Sequence, residues 1–552
     1  MHLPDFYRRP GSLVLCLAVF APELAAQAPT PQTVLELPTY TVTTERELPP
    51  PERWYYAQIE GFEVLSDVSD RSTRRLVNDF QRFGYALNLI WPGMRPIGAT
   101  GISLIICRQR QMFQTFLPES LLRSGRPITS FHLRTREHAT IVLDCQTKIL
   151  NLPEAADTPV APAAAIGADP DSTAESADAG PNQGVAVDSY QQLYREYLRL
   201  LFAARPAPPP AWLSEGLTQL LMNLRITGTE ISVGRVEDPN AKENRTTAAS
   251  ATDRDFNTTL ARRALLPMAE MFAVTSDSDT AQNTMDSTWA KQCHAFVHWG
   301  LYGDFGRNKK AFATFVARLD REPLSETLFK ECFKSNYADM LPALRTHIES
   351  TRTQFEGVRA DKGGKIPFPP DAAVRPATEA EIGRLKGEVF TLASHPVAAR
   401  TELVTAYRRG ERAPDLLAPL GLAELAAGEQ ERARKFLEAA AAGKAANSRA
   451  YVELARLRLT EAEARPEATD GKLSAAQVAR VLEPLRLARA QPPPLPETYE
   501  LIGATWTASA TPPPASHLEL LKEGLRLFPR DAKLRARFEA LAATPPSALT
   551  AK

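Results

Sequence analysis

Residues 191–219 read QQLYREYLRLLFAARPAPPPAWLSEGLTQ. Apolar spacing predicts one helix over about residues 189–204 and a second over 212–224, parted by a proline-rich turn that can continue neither. The first helix carries Arg195, Glu196 and Arg199 in the pattern RExxR, so that charged groups three and four residues apart share one face. The second opens on Trp212 and carries Glu215 and Gly216. Taken alone, RExxR is also the charged face of an amphipathic helix.

Together the two helices resemble the active-site segment of gluzincin metallopeptidases of the peptidase-MA-like kind. There a helix bearing HExxH is followed, after a short turn, by one bearing W-x-x-E-G. The resemblance implies that Glu196 stands at the general-base position and Glu215 at the third-ligand position, with Trp212, Leu213 and Gly216 matching the second helix. In that family the two histidines bind zinc, which activates a water. Here both histidine positions are arginine, Arg195 and Arg199. A guanidinium stays protonated, has no usable lone pair and repels a divalent cation. The expectation is therefore a peptidase fold that has lost its metal, with no catalytic residue and no cofactor. PMAEMF (267–272), AFVHWGLYG (295–303) and FKECFKSNYADML (329–341) resemble the helices that complete such a domain, so the likeness covers about residues 54–356. One alternative keeps zinc. His294 and His298 sit four apart on one helix face, and with Glu215 they would make a rearranged zinc peptidase. Their apolar neighbours favour packed histidines instead.

Upstream, WYYAQIEGFEVLSD (54–67) reads as a hairpin turning at Glu60-Gly61, and Arg74 to Leu89 as a helix. ISLIICRQ (102–109) is a buried-strand run, and ITSFHLRTREHATIVLDC (128–145) a second hairpin-like pair. Between Lys148 and Arg195 no lysine or arginine occurs, and residues 151–186 read as an acidic low-complexity insertion. TEISVGRV (229–236) carries a short strand signal, and residues 242–257 are polar and loop-like.

Downstream, residues 357–377 read as a linker, and residues 378–545 are rich in Ala, Leu, Glu and Arg. This last part resembles a tetratricopeptide array. Gly421, Gly428, Ala433 and Ala440 stand where its paired helices need small residues, and Ala455 lies one 34-residue period beyond Gly421. Tyr499, Ile502, Gly503 and Trp506 match the first helix of a further repeat, closed by Gly524 and Pro529. Helical hairpins of this kind bury their apolar faces only by stacking.

The chain has 552 residues, and its 65 basic residues balance 65 acidic ones. No basic stripe points to nucleic acid. Arg8 and Arg9, the apolar run LVLCLAVF (13–20) and the small residues Ala25 and Ala26 read as a signal peptide, residues 1–26, with a flexible leader over 27–52. The run is too short to span a bilayer, and no later segment is long and apolar enough. An exported chain with Cys107, Cys145, Cys293 and Cys332 permits two disulfides, strand with strand and helix with helix; buried thiols fit equally well.

The expected fold class is α+β: a small-sheet gluzincin-like domain, with an α/β part (53–150) and a helical part (187–356), followed by an all-α tetratricopeptide-like solenoid. The expected function is that of an exported, periplasmic or extracellular, non-catalytic protein that binds a protein or peptide partner.

Overall fold

The computed structural model describes residues 37–40, 48, 50–92, 101–147, 149–150, 185–205, 207–236, 255–282, 284, 287–350, 355–361, 363–468 and 470–543. The expected signal peptide, most of the expected leader and nearly all of the acidic insertion lie outside the described residues. The chain is mixed α/β, a six-stranded sheet followed by a helical C-terminal region.

Strands β1 (Tyr55–Ile59), β2 (Phe62–Ser66), β3 (Ile102–Cys107), β4 (Ser130–Arg134) and β5 (Ala139–Asp144) lie in the order β1-β2-β3-β5-β4. β1 and β2 form the expected hairpin, Ile59 opposite Phe62 across Glu60-Gly61. β2, β3 and β5 run parallel, and every residue of β3 is buried, as both faces of a central parallel strand should be. The sixth strand, Val374–Pro376, pairs antiparallel with the outer edge of β1. It comes from the segment expected to be a linker. Glu356–Arg359, which overlaps the start of that segment, likewise pairs with Glu230–Val233. Residues 357–377 thus contribute to two sheet edges, because runs too short to show a periodicity can still pair at an edge.

The front of the sheet, with Val64, Leu104, Ile106, Ile141 and Leu143, packs on the Asp70–Ile90 helix and on the helices of residues 189–349. The back, with Tyr56, Leu65, Ile105, Phe131 and Val142, packs on Ile382, Leu385, Val389 and Phe390 of the helical region. Nine helices among the described residues make that region. Glu379–Leu392 packs on Pro396–Arg408, Pro414–Ala426 on Gln430–Ala442, and Ser448–Ala464 on Ala475–Ala490. Pro496–Ala508 and Ala515–Leu527 follow, and Ala532–Ala542 closes the stack. Gly421 lies at one crossing, where a Cβ would come within 2.8 Å of Leu437. No helix among the described residues is long and apolar enough to cross a membrane.

Two expectations change, and one open alternative is decided. The polar stretch thought to run to Asn257 ends sooner, since Asp255 caps a helix over Phe256–Leu260. Ile149–Leu150 and Val185–Ala186 pair antiparallel, so the flanks of the acidic insertion meet at one place. Of the two readings left open for the cysteines, the structure has free thiols: Cys107, Cys293 and Cys332 are unbridged. The register sets Cys107 opposite Asp144, so Cys107 joins the back layer while the next residue, Cys145, faces the front.

Candidate functional site

The Ser189–Ala203 helix begins at Asp188, whose carboxylate accepts from the Tyr190 N–H at 2.8 Å. Aromatic packing fixes its rotation. Tyr194 stacks on Phe83 with ring centroids 3.9 Å apart, and Tyr197 meets Phe62 and Phe80 edge-on. Glu196 then faces β4, and Arg199 faces the Ala211–Met222 helix.

That second helix is pressed onto the Thr288–Tyr302 helix at Gly216. A Cβ there would stand 2.5 Å from Val297 Cγ2 and 2.6 Å from the Cys293 carbonyl oxygen. Trp212, fully buried among Phe272, Phe296 and Phe315, anchors the start of the helix. The glycine and the tryptophan together aim Glu215 at the first helix.

A charge network results. Arg199 Nη2 donates to Glu215 Oε2 at 3.1 Å and to Thr284 Oγ1 at 2.8 Å, while Nη1 stands 4.0 Å from Glu196 Oε1. Glu196 also accepts from Ser130 Oγ at 3.0 Å and pairs with His132 Nδ1 at 2.7 Å. The far oxygen of Glu215 accepts from Gln219 Nε2 at 2.9 Å, and Gln219 Oε1 accepts from the buried Lys291 at 3.0 Å. Each carboxylate is 5 % exposed, so each needs this compensation. Burial alone would push the Glu196 carboxyl up, but His132, Arg199 and Ser130 outweigh it and bring it down to about 2. Burial would likewise lower the Arg199 pKa, and Glu215 with Glu196 raises it instead.

The residues do not fit a catalytic zinc ion. Arg199 lies between the two glutamates, and neither arginine position offers a lone pair. Arg195 is buried and lines, with Arg126, Arg199, Glu196 and His132, a cavity of about 180 Å³ beside the network.

His294 and His298 are buried on the Thr288–Tyr302 helix. His298 Nε2 donates to the Gly234 carbonyl at 2.7 Å, which leaves Nδ1 to accept from His347 Nε2 at 2.9 Å. Both ring nitrogens of His298 are thereby used within the protein. His294 Nδ1 stands 3.8 Å from Asp255 Oδ1, and Phe256 packs edge-on against its ring. Burial lowers all three histidine pKa values, His294 well below the ordinary 6.5, His298 to about 4 and His347 to about 3. Among the described residues no group of three or more His, Cys, Asp or Glu side chains is placed to hold a metal.

The structure therefore brings together Glu196, Arg199 and Glu215 and leaves the histidine pair in a separate polar cluster. Sequence reading missed Ser130, His132, Thr284, Gln219 and Lys291. Three of these had a signal: Ser130 and His132 alternate onto one face of a strand, and Gln219 lies one turn beyond Glu215. Comparison of the chain with protein-family models, with curated proteins and with solved structures gives no match.

Proposed function

We propose that the chain is an exported, non-catalytic relative of the gluzincin peptidases whose tetratricopeptide-like array binds a protein or peptide partner. The observation that carries this reading is the Arg199 guanidinium between Glu196 and Glu215, where an active gluzincin would hold its metal. A fixed cation there serves the charge balance of the two helices and leaves nothing to polarise a water or a carbonyl. The close crossing at Gly421 and the pairwise packing of successive helices support the repeat reading.

Size separates the cleft beside Arg199 from the helical array as a place for a ligand. Pockets that bury a ligand run to about 300–1,000 Å³. The cavity beside Arg199 is about 180 Å³, whereas one on the helical array, reaching the β4–β5 turn, is about 1,030 Å³. Binding is therefore assigned to the array. Metal analysis of the purified protein, with a peptidase assay run with and without chelator, tests the reading. Stoichiometric zinc together with chelator-sensitive cleavage would overturn it. A second measurement asks about ancestry. Arg195→His/Arg199→His should gain zinc affinity if the gluzincin geometry is inherited, and a folded variant that binds none would make the resemblance superficial.

A further inference from the structure

Four residues of the N-terminal leader, Leu37 to Tyr40, lie on the helical array rather than beside the strand they precede. The Tyr40 ring stacks against Phe436 with centroids 6.2 Å apart and meets Tyr407 edge-on at 5.7 Å. The Arg432 guanidinium lies over its face at 5.1 Å. Its hydroxyl donates to Glu424 Oε1 at 2.8 Å, and Tyr407 in turn donates to the Pro38 carbonyl oxygen at 2.8 Å. Leu37 packs on the same apolar cluster. Backbone, ring and hydroxyl are thus each read by a different helix, which is how an extended peptide is recognised in a groove.

The receiving side is built rather than incidental. Glu424 is fully buried and held by Arg400 Nε at 2.7 Å and Arg432 Nη1 at 2.9 Å. Burial would raise its pKa, but Arg400, Tyr40 and Arg432 prevail and lower it. An ionised carboxylate kept at the floor of an aromatic groove selects a neutral donor at the end of a ring, the chemistry of an unmodified tyrosine. The groove also continues past its occupant. Tyr40 itself forms part of the wall of the 1,030 Å³ cavity, with Arg400, Val404, Leu422, Ala423 and His138.

We propose that the groove formed by Tyr407, Glu424, Arg432 and Phe436 is a binding site for an extended, tyrosine-bearing peptide segment of a partner, and that Leu37–Tyr40 occupies it in cis as a tethered competitor. This rests on the reading of the array as the binding part of the chain. A segment tethered this closely acts at an effective concentration on the order of millimolar, so a free peptide must displace it before it can bind.

The probe is a fluorescent peptide of sequence LELPTYTV, that of residues 35–42, titrated by anisotropy into the full chain. Leu37→Ala/Tyr40→Ala should bind it about tenfold or more tighter than the unaltered protein does, because the cis competitor is gone. The same peptide with phenylalanine for tyrosine should lose about tenfold, the value of a hydrogen bond to a charged group. Affinities within twofold for the two proteins, or for the two peptides, overturn the proposal. If the double variant does not fold, hydrogen exchange on the unaltered protein decides: excess peptide should speed exchange at Thr39 and Tyr40, and unchanged exchange sinks the idea. These results are independent of the zinc and peptidase measurements, so the groove can fail while the non-catalytic reading stands, and the reverse.

Discussion

Arg199 is the residue whose removal should be felt most. Without it Glu196 keeps His132 and Ser130, but among the described residues Glu215 keeps only the Gln219 amide. Breaking one partner of a buried ion pair costs about 3–5 kcal/mol, since the other charge is left in a poor solvent. Arg199→Ala should lose stability on that scale in urea unfolding, and adding Glu215→Gln should recover part of it by removing the stranded charge. An Arg199→Ala protein as stable as the parent would mean that the network is not a working ion pair. The histidine cluster titrates in a different window. His294, His298 and His347 are held neutral with pKa values below the ordinary 6.5, so between pH 6.5 and about 4 the unfolded chain binds protons that the folded chain refuses. Their contribution is complete above pH 6.5 and is lost as pH falls, by about 1.4 kcal/mol per pH unit for each histidine. The other titratable groups facing His294 are Asp255 at 3.8 Å and the Lys291 ammonium, whose charge adds to the lowering. Glu196 changes charge only between its ordinary range and about 2, so between pH 7 and 5 the slope comes from this cluster and from His517, which burial also lowers, and a variant within the cluster separates the two. His347→Gln, which can still donate to His298, should flatten that slope. At this scale the sequence was legible where partners share a helix or face each other across one turn, as Arg199, Glu196 and Glu215 do. It was silent about His347 and Thr284, which arrive from distant segments with no spacing to announce them.

Among the elements, the repeat helices show how far spacing carries. A close crossing at Gly503 was expected because it holds the small-residue position of a repeat. A Cβ at Gly503 would instead meet nothing nearer than Arg537 at 3.4 Å. The tight contact belongs to the next helix, where a Cβ on Gly524 would lie 2.6 Å from the Tyr499 ring. Period locates the hairpin but not which of its two helices yields room, because that depends on the bulk of the facing residue, here a tyrosine. Opposite signs follow for one chemical change. Gly503→Ala should be neutral or stabilising by up to about 1 kcal/mol through helix propensity. Gly524→Ala forces the Tyr499 ring to move and should cost about 1–3 kcal/mol. Thermal unfolding of the two single variants checks both, and equal effects would mean that the helices cross differently. Gly216 belongs to the same class as Gly524. Its close approach to Val297 and to the Cys293 carbonyl is by itself enough to require a glycine after Glu215.

For the whole molecule, the question is whether the helical array is an appendage or part of the core. Composition suggests an appendage, since residues 357–377 read as a linker. The structure makes that segment a sheet edge and lays the first helical hairpin against the back of the sheet. Sequence could not announce this, because a strand of three residues has no periodicity and the facing apolar groups are far apart in the chain. Ion pairs cross the same boundary: Arg384 with Glu63 at 2.5 Å, Lys386 with Glu52 at 3.1 Å, and Arg449 with Glu137. Ending the chain after Ala373 would remove the sixth strand and uncover Trp54, Tyr56, Leu65, Ile105 and Phe131, all buried in the intact protein. It would also expose the outer edge of β1 to pairing with other chains. An apolar patch of that kind beside an open sheet edge promotes aggregation. Truncation after Ala373 should therefore give insoluble protein, or soluble protein that binds a hydrophobic dye and melts well below the intact chain. A truncated protein that stays monomeric and melts like the parent would show that the front layer alone holds the sheet, and that the array merely rests on a finished domain.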